Sequence, residues 1–230
     1  MTAGRVPGLA PAFLPAGPTA LLVDLPGAAA GEAASLAAHV RAGSVAAGLS
    51  LLDVVPGAAT VLLDGLDLPA ELGAVRALVA SWSPSRHGDV APGRLVEVPV
   101  VYDGEDLADV AGAWGCSVEE VVARHTGAEL VSAFCGFAPG FAYLTGLGSA
   151  DPRRPGETTW PWSVPRRASP RPRVPAGSVA LAGGWCGVYP TASPGGWQLI
   201  GRTDLDLWDV AADQPALLAP GTRVRFVAVR

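Results

Sequence analysis

Apolar positions along this chain change their period twice, and the changes divide it. Thr19 to Leu25 (TALLVDL) is a nearly unbroken apolar run closed by Pro26-Gly27, which predicts a buried strand. Glu32 to Ala42 follows with Leu36 and Val40 at helical spacing. Leu49 to Val55 and Thr60 to Asp64 flank Pro56-Gly57 as a strand pair. Pro69 suits a first helical turn, after which Leu72, Val75, Leu78, Val79 and Trp82 form one apolar face. Ser83 to Arg94 (SPSRHGDVAPGR) has few apolar residues and reads as a boundary. The division is a small α/β domain over residues 1–85, a linker over 86–94 and a second domain over 95–230.

In the second domain the period shortens. Leu95 to Tyr102 (LVEVPVVY) predicts a strand, with Pro99 favouring an edge or a bulge. Asp106 to Trp114 predicts a helix with Gly115 as its C-terminal cap. Ser117-Val-Glu-Glu120 is a capping box that opens a second short helix ending near His125. Beyond it come short strands punctuated by Gly and Pro: Glu129 to Cys135, Ser178 to Ala182, Gly187 to Pro190, Trp197 to Gly201, Leu205 to Val210 and Arg223 to Val229. That pattern indicates a barrel or sandwich. The predicted class is α+β.

Composition removes several chemistries. The chain has 230 residues, half of them hydrophobic, and all 16 basic residues are Arg. Without lysine there is no Gly-Lys-Ser/Thr phosphate loop, lysine Schiff base or Ser-Lys nucleophile. Cys116, Cys135 and Cys186 are widely separated, and only His39, His87 and His125 could join them, so no metal site is expected. The net charge of −5 argues against nucleic acid, and Glu119 and Glu120 make the second helix a poor reader of a groove. No stretch of eighteen apolar residues exists and the first eighteen residues hold no compact apolar region, so no membrane contact and a cytoplasmic location are expected. Residues 153–173 hold six arginines (153, 154, 166, 167, 171 and 173) against Glu157, a local charge of +5. That segment is a solvated loop or, because guanidinium forks match carboxylates and phosphates, an anion or acidic-partner site.

Two segments stand apart from this background. Gly136 to Leu144 reads GFAPGFAYL; the second runs from VPAGSV (Val174 to Val179) through Gly187-Val-Tyr-Pro190 to Ser193-Pro-Gly-Gly-Trp-Gln-Leu-Ile-Gly-Arg-Thr203. Pro139-Gly140 and Pro194-Gly195-Gly196 permit tight turns and close backbone approach. Phe137, Phe141, Tyr143, Tyr189 and Trp197 bracket those turns, either lining a groove for a small molecule or capping a barrel core.

In this order and spacing, GFAPGFAYL, SPRPRVPAGSVALAG, GVYP and SPGGWQLIGRT resemble the motif set of the family that holds the B component of 5-oxoprolinase, KipI and allophanate hydrolase subunit 1. The likeness runs from VPVVYDGEDLADVA to LAPGTRVRF and touches LLDVVPGAATVLLD. It implies an N-terminal α/β domain followed by a cyclophilin-like β-barrel. It also implies a C-type carboxyltransferase-domain partner, an A-type (LamB/YcsF-like) protein, and ATP-dependent opening of a small amide or lactam, 5-oxo-L-proline, to L-glutamate, with ATP shared with the partner. The match assigns no catalytic roles; among the matching positions the chemistry of ring opening points to Arg171 and Arg202 as fixed donors for developing negative charge and to His125 as a general base. Phe137, Pro139, Phe141, Tyr143, Ser178, Tyr189, Pro190, Gly195, Gly196, Trp197 and Thr203 are the candidates for binding substrate. His125 ends a helix, where a histidine is also favourable with the dipole, and Arg202 could instead tie strands to Asp204 or Asp206. The chain departs from the family pattern at Cys186, where a small hydroxyl residue is expected, and in an insertion over Ala150 to Trp162 that adds Arg153, Arg154, Trp160 and Trp162. Two other functions are implied by the likeness: a KipI-like inhibitor that would dock the same aromatic surface on a sensor histidine kinase, and a urea-amidolyase type or biotin-dependent carboxyltransferase component whose biotin would come from a partner.

Overall fold

The computed structural model describes residues 10–28, 31–83, 93–146 and 163–230. The 150–162 insertion and most of the 86–94 linker, His87 included, lie outside them. The chain divides into two compact units, Met1–Val90 and Ala91–Arg230.

In the first unit, β1 (Ala12–Pro15), β2 (Ala20–Asp24), β3 (Asp53–Pro56) and β4 (Thr60–Asp64) form an antiparallel sheet in the order β1-β2-β4-β3. The helices α1 (Glu32–Gly43) and α2 (Leu72–Ser81) complete it. Alternation along the strands sends Leu21, Val23, Val61 and Leu63 into one apolar cluster with Leu36, Val40, Val75 and Val79. Strand β1 is an addition to the sequence reading. Its four residues are half-buried to exposed at the sheet's edge, so no apolar run marks it. Pro69 follows a cis bond and precedes α2 instead of opening it.

The second unit is a barrel. Strands β5 (Leu95–Val100), β6 (Glu129–Cys135), β7 (Ala142–Gly146), β9 (Ser178–Ala182), β10 (Trp185–Val188), β12 (Gln198–Arg202) and β13 (Arg223–Ala228) form one sheet in the order β12-β9-β10-β7-β6-β13-β5. Its two ends meet where Val101 and Arg202 exchange backbone hydrogen bonds of 2.9 Å in both directions, just past β5. Pro99 is tolerated because β5 is an end strand of the sheet. The short strands β8 (Arg171–Val174) and β11 (Ser193–Gly195) pair as a separate ribbon.

Between β5 and β6 lie α3 (Leu107–Trp114) and α4 (Val118–Gly127). Gly115 caps α3 in the left-handed conformation, and the Ser117 hydroxyl accepts the Glu120 N–H at 3.2 Å, as the capping box predicts. One expected strand is absent: Leu205 to Val210 forms only an isolated bridge, Trp208 to Ala216, because Asp204, Asp206, Trp208 and Asp209 face solvent and no neighbouring strand runs alongside. The α+β class with a barrel in its second part is the observed architecture. No helix among the described residues is long and apolar enough to cross a membrane.

Candidate functional site

The GFAPGFAYL segment is the β6–β7 hairpin. Phe141 N–H donates to the Ala138 carbonyl at 2.9 Å across Pro139-Gly140, and Gly140 has φ +83°, the turn that needs proline second and glycine third. Strand β7 then carries Tyr143 beside a barrel-wall cluster of Phe141, Tyr189, Trp197, Val174, Ala180, Ala182 and Leu199. Phe141 sits at its centre, edge-on to Tyr143, Tyr189 and Trp197 with centroids 5.1–5.4 Å apart. Gly187 and Gly195 leave room for these rings: a Cβ on either would lie about 3.0 Å from carbons of Phe141 or Tyr189. Most of the nominated aromatics are therefore core, since Phe141, Tyr189 and Trp197 are buried while Tyr143 is half-buried. Phe137 alone stands out, 62 % exposed at φ +70°.

Beside this cluster the structure gathers charges that lie far apart in sequence. Asp106, 1 % exposed, immediately precedes α3 but its carboxylate makes no cap bond to that helix. One carboxylate oxygen, Oδ1, accepts from Arg167 Nη1 at 2.6 Å and Arg171 Nη2 at 2.7 Å, while Oδ2 accepts the Leu199 N–H of β12 at 2.7 Å. The Asp106 N–H returns to the Leu199 carbonyl at 3.0 Å. Arg171 also donates Nε and Nη2 to Glu105 Oε2 at 3.3 and 3.0 Å. Burial would raise the Asp106 pKa, but the Arg171 hydrogen bond, the Leu199 N–H and both guanidinium charges outweigh it and hold the carboxyl below its ordinary value. Gly104 lets this loop lie directly on β12, where any side chain would overlap the Leu199 carbonyl. Arg167 Nε and Arg171 Nη1 are buried donors without a partner among the described residues. Burial pushes the Tyr189 phenol up, and the Trp197 N–H, Arg166 and Arg171 pull it back only in part. Arg166 lies 6.0 Å from the Trp197 ring.

The remaining nominees sit elsewhere. His125 is fully buried in the barrel core and stacked on Phe226 at 4.3 Å. Both ring nitrogens are engaged, Nδ1 with the Tyr102 hydroxyl at 2.6 Å and Nε2 with Cys186 Sγ at 3.3 Å. Burial depresses its pKa to about 3 and raises those of Tyr102 and Cys186. His125 is thus a neutral core histidine, and Cys186 is its partner in place of the expected hydroxyl. Arg202 is 55 % exposed and pairs with Asp103 through Nε at 3.0 Å and Nη2 at 2.9 Å, not with Asp204 or Asp206. Ser178 donates to the Pro175 carbonyl at 2.8 Å, and the Thr203 Oγ1 accepts the Leu205 N–H, so both hydroxyls are used in turns. Pro190 and Gly196 are half-buried. The sequence reading missed Asp106, Glu105 and Arg167. The signal available was the density of acids in VYDGED, where Asp103, Glu105 and Asp106 fall within four residues just ahead of α3. No group of three potential metal ligands exists among the described residues.

An antiparallel sheet with two helices followed by a barrel agrees with the family comparison. The chain belongs to the carboxyltransferase domain, subdomain C and D family, whose pattern matches residues 11–218. Within it, the chain is 44% identical over 183 residues to a protein of Escherichia coli O157:H7 named as the B subunit of 5-oxoprolinase, covering 77% of this chain and 78% of that one. Among solved structures, TTHA0988 superposes with a TM-score of 0.70 at 34% identity over 92% of this chain; the chain spans only 40% of that protein's length. The urea carboxylase of Kluyveromyces lactis superposes with a TM-score of 0.71 over 98% of this chain and 23% of its own, and at 18% identity it is a likeness of fold alone.

Proposed function

We propose that this chain is the B-type subunit of an ATP-dependent 5-oxoprolinase, acting with a C-type and an A-type protein to open 5-oxo-L-proline to L-glutamate. The observation that carries the reading is the 44% identity to the B component of a 5-oxoprolinase over three quarters of the chain. The relatives' names favour neither the kinase-inhibitor nor the biotin-dependent alternative.

The site proposed for the lactam's carboxylate is the Arg167–Arg171 pair, with Tyr189 near Arg171. Both guanidiniums are held in place by Asp106, and each keeps one buried N–H without a partner among the described residues. Fixed donors of this kind bind an oxyanion without reorganising. His125 and Arg202 fall outside this proposal, the first because its ring is sealed in the core and neutral, the second because Asp103 holds it at the surface. The sequence has no lysine and no phosphate loop, and Arg167 and Arg171 spend donors on Asp106 and Glu105. Arg167 and Arg171 do not by themselves compose a nucleotide site, and the ATP of the proposed reaction is shared with the partner proteins.

Co-expression with the products of neighbouring genes, followed by an assay of 5-oxoproline-dependent ATP hydrolysis, tests the reading. Turnover is expected from the assembled proteins and not from this chain alone. Robust turnover by the single chain overturns the reading of it as one part of a larger enzyme. Arg171→Ala should weaken 5-oxoproline binding about ten- to a hundredfold, the equivalent of one charge-assisted hydrogen bond, and Arg171→Lys should not restore it because an ammonium lacks the planar fork. A large fall in melting temperature with unchanged affinity would mean that Arg171 only holds the fold.

A further inference from the structure

The tip of the β6–β7 hairpin combines two features that rarely coincide. Phe137 adopts φ +70°, a conformation aromatic residues avoid, and the Ala138 N–H closes a three-residue turn on the Gly136 carbonyl at 2.8 Å. The same ring is 62 % exposed, touching Phe141 and Tyr189 only edge-on at 5.3 and 6.2 Å. The chain thus holds a large apolar side chain in a strained turn and buries little of it. Three residues on, Gly140 packs against Leu207 and Trp208, where a Cβ would lie 3.0 Å from the Leu207 carbonyl oxygen and from Trp208 Cβ. That neighbouring segment exposes Trp208 at 44 % and Val210 at 83 %. It is also acidic: Asp204, Asp206, Asp209 and Asp213 are all exposed, and no cation occurs between Arg202 and Arg223.

We propose that the Phe137 turn and the Trp208–Val210 segment are the docking surface for the C-type partner, with Phe137 and Trp208 as anchors entering an apolar pocket rimmed by basic side chains. This inference rests on the multi-protein reading proposed for the chain's function. Exposed aromatics at a rigid turn are the side chains that concentrate binding energy at interfaces, and a strained backbone held at a functional position is where such anchors are found. The aspartates select the partner's charge. A second copy of this chain would bring two acidic rims together, and each copy carries a net charge of −5; an isologous contact repeats that repulsion on both sides. A basic-rimmed partner instead gains attraction and a faster encounter.

The test uses the full chain and the C-type protein encoded beside it, mixed at micromolar concentration and followed by size exclusion and titration calorimetry. The expected result is one joint peak for the wild-type pair, with an affinity that falls as salt is raised. Phe137→Gly should weaken association about ten- to a hundredfold while leaving the melting temperature unchanged or higher, because glycine relieves the positive φ. Trp208→Ala should weaken it similarly, and it keeps the question decidable if Phe137→Gly melts lower. Wild-type affinity in both variants overturns this docking surface and leaves the multi-protein reading standing. Separate elution of the wild-type pair overturns that reading and the docking surface with it.

Discussion

The two units are built on different rules. Every buried side chain among the described residues of the first unit is apolar, whereas the second buries Asp106, His125, Ser132, Thr145, Ser178, Gln198 and Thr203. An apolar core needs only volume and pattern, and it tolerates many sequences. A buried polar group must find partners or cost stability, so each one fixes a specific neighbour. Asp106 selects Arg167, Arg171 and the β12 backbone, and His125 selects Tyr102 and Cys186.

Four measurements would break or sharpen that contrast. The largest effect is expected at Asp106. Asp106→Ala leaves Arg167 and the Leu199 N–H without this acceptor and Arg171 with Glu105 alone, and should destabilise by about 3–5 kcal/mol, read by chemical denaturation. A loss below about 1 kcal/mol would show that solvent reaches the cluster and that the contrast is overstated. In the first unit, Leu63→Ala should cost about 2–5 kcal/mol through the cavity it leaves, while Leu63→Met should cost under about 1.5 kcal/mol. Equal damage from both would mean that the first core is as particular as the second.

The third effect is a pH dependence centred on His125. Its folded pKa of about 3 lies below the ordinary 6.5, so the unfolded chain binds the extra proton between those values. This group's contribution to stability is therefore present above pH 6.5 and is lost as pH drops toward 3, by about 2 kcal/mol between pH 7 and pH 5. Asp106, whose pKa is also lowered, adds a loss of the same sign at still lower pH. His125→Leu should flatten the slope between about pH 5 and 7, and a slope that persists would assign it to other groups. The smallest effect is expected at Arg202, whose pair with Asp103 is about half exposed on both sides. Arg202→Ala should change stability by less than about 1 kcal/mol. A larger loss would mean that this pair helps to close the barrel where Val101 meets Arg202.

The local elements were largely legible in the chain. Helical spacing marked α1 and α2, and the Gly115 cap of α3 and the Ser117 box of α4 fall where their chemistry requires. These signals survive because they depend on neighbours within a few residues. Short strands that pair only with each other were harder: β8 and β11 form a ribbon of four and three residues, too brief to show alternation. Leu205 to Val210 alternates like a strand but lacks a partner, and alternation alone does not supply one.

The candidate site was legible in its ingredients but not in its assembly. Composition by itself ruled out lysine chemistry, singled out the arginine segment and placed aromatics beside the Gly/Pro turns. What only the tertiary structure decided is which of these groups are spent on the fold. Asp106 looks like an ordinary helix start, and nothing nearby in sequence shows its carboxylate turning away to arginines more than sixty residues on. Phe137 and Phe141 belong to one motif, yet the first faces solvent and the second fills a core. His125 and Arg202 carry catalytic chemistry as residue types, and burial in one case and Asp103 in the other engage them. Residue type states what a side chain can do; exposure and partners, set by contacts distant in sequence, decide whether it is free to do it.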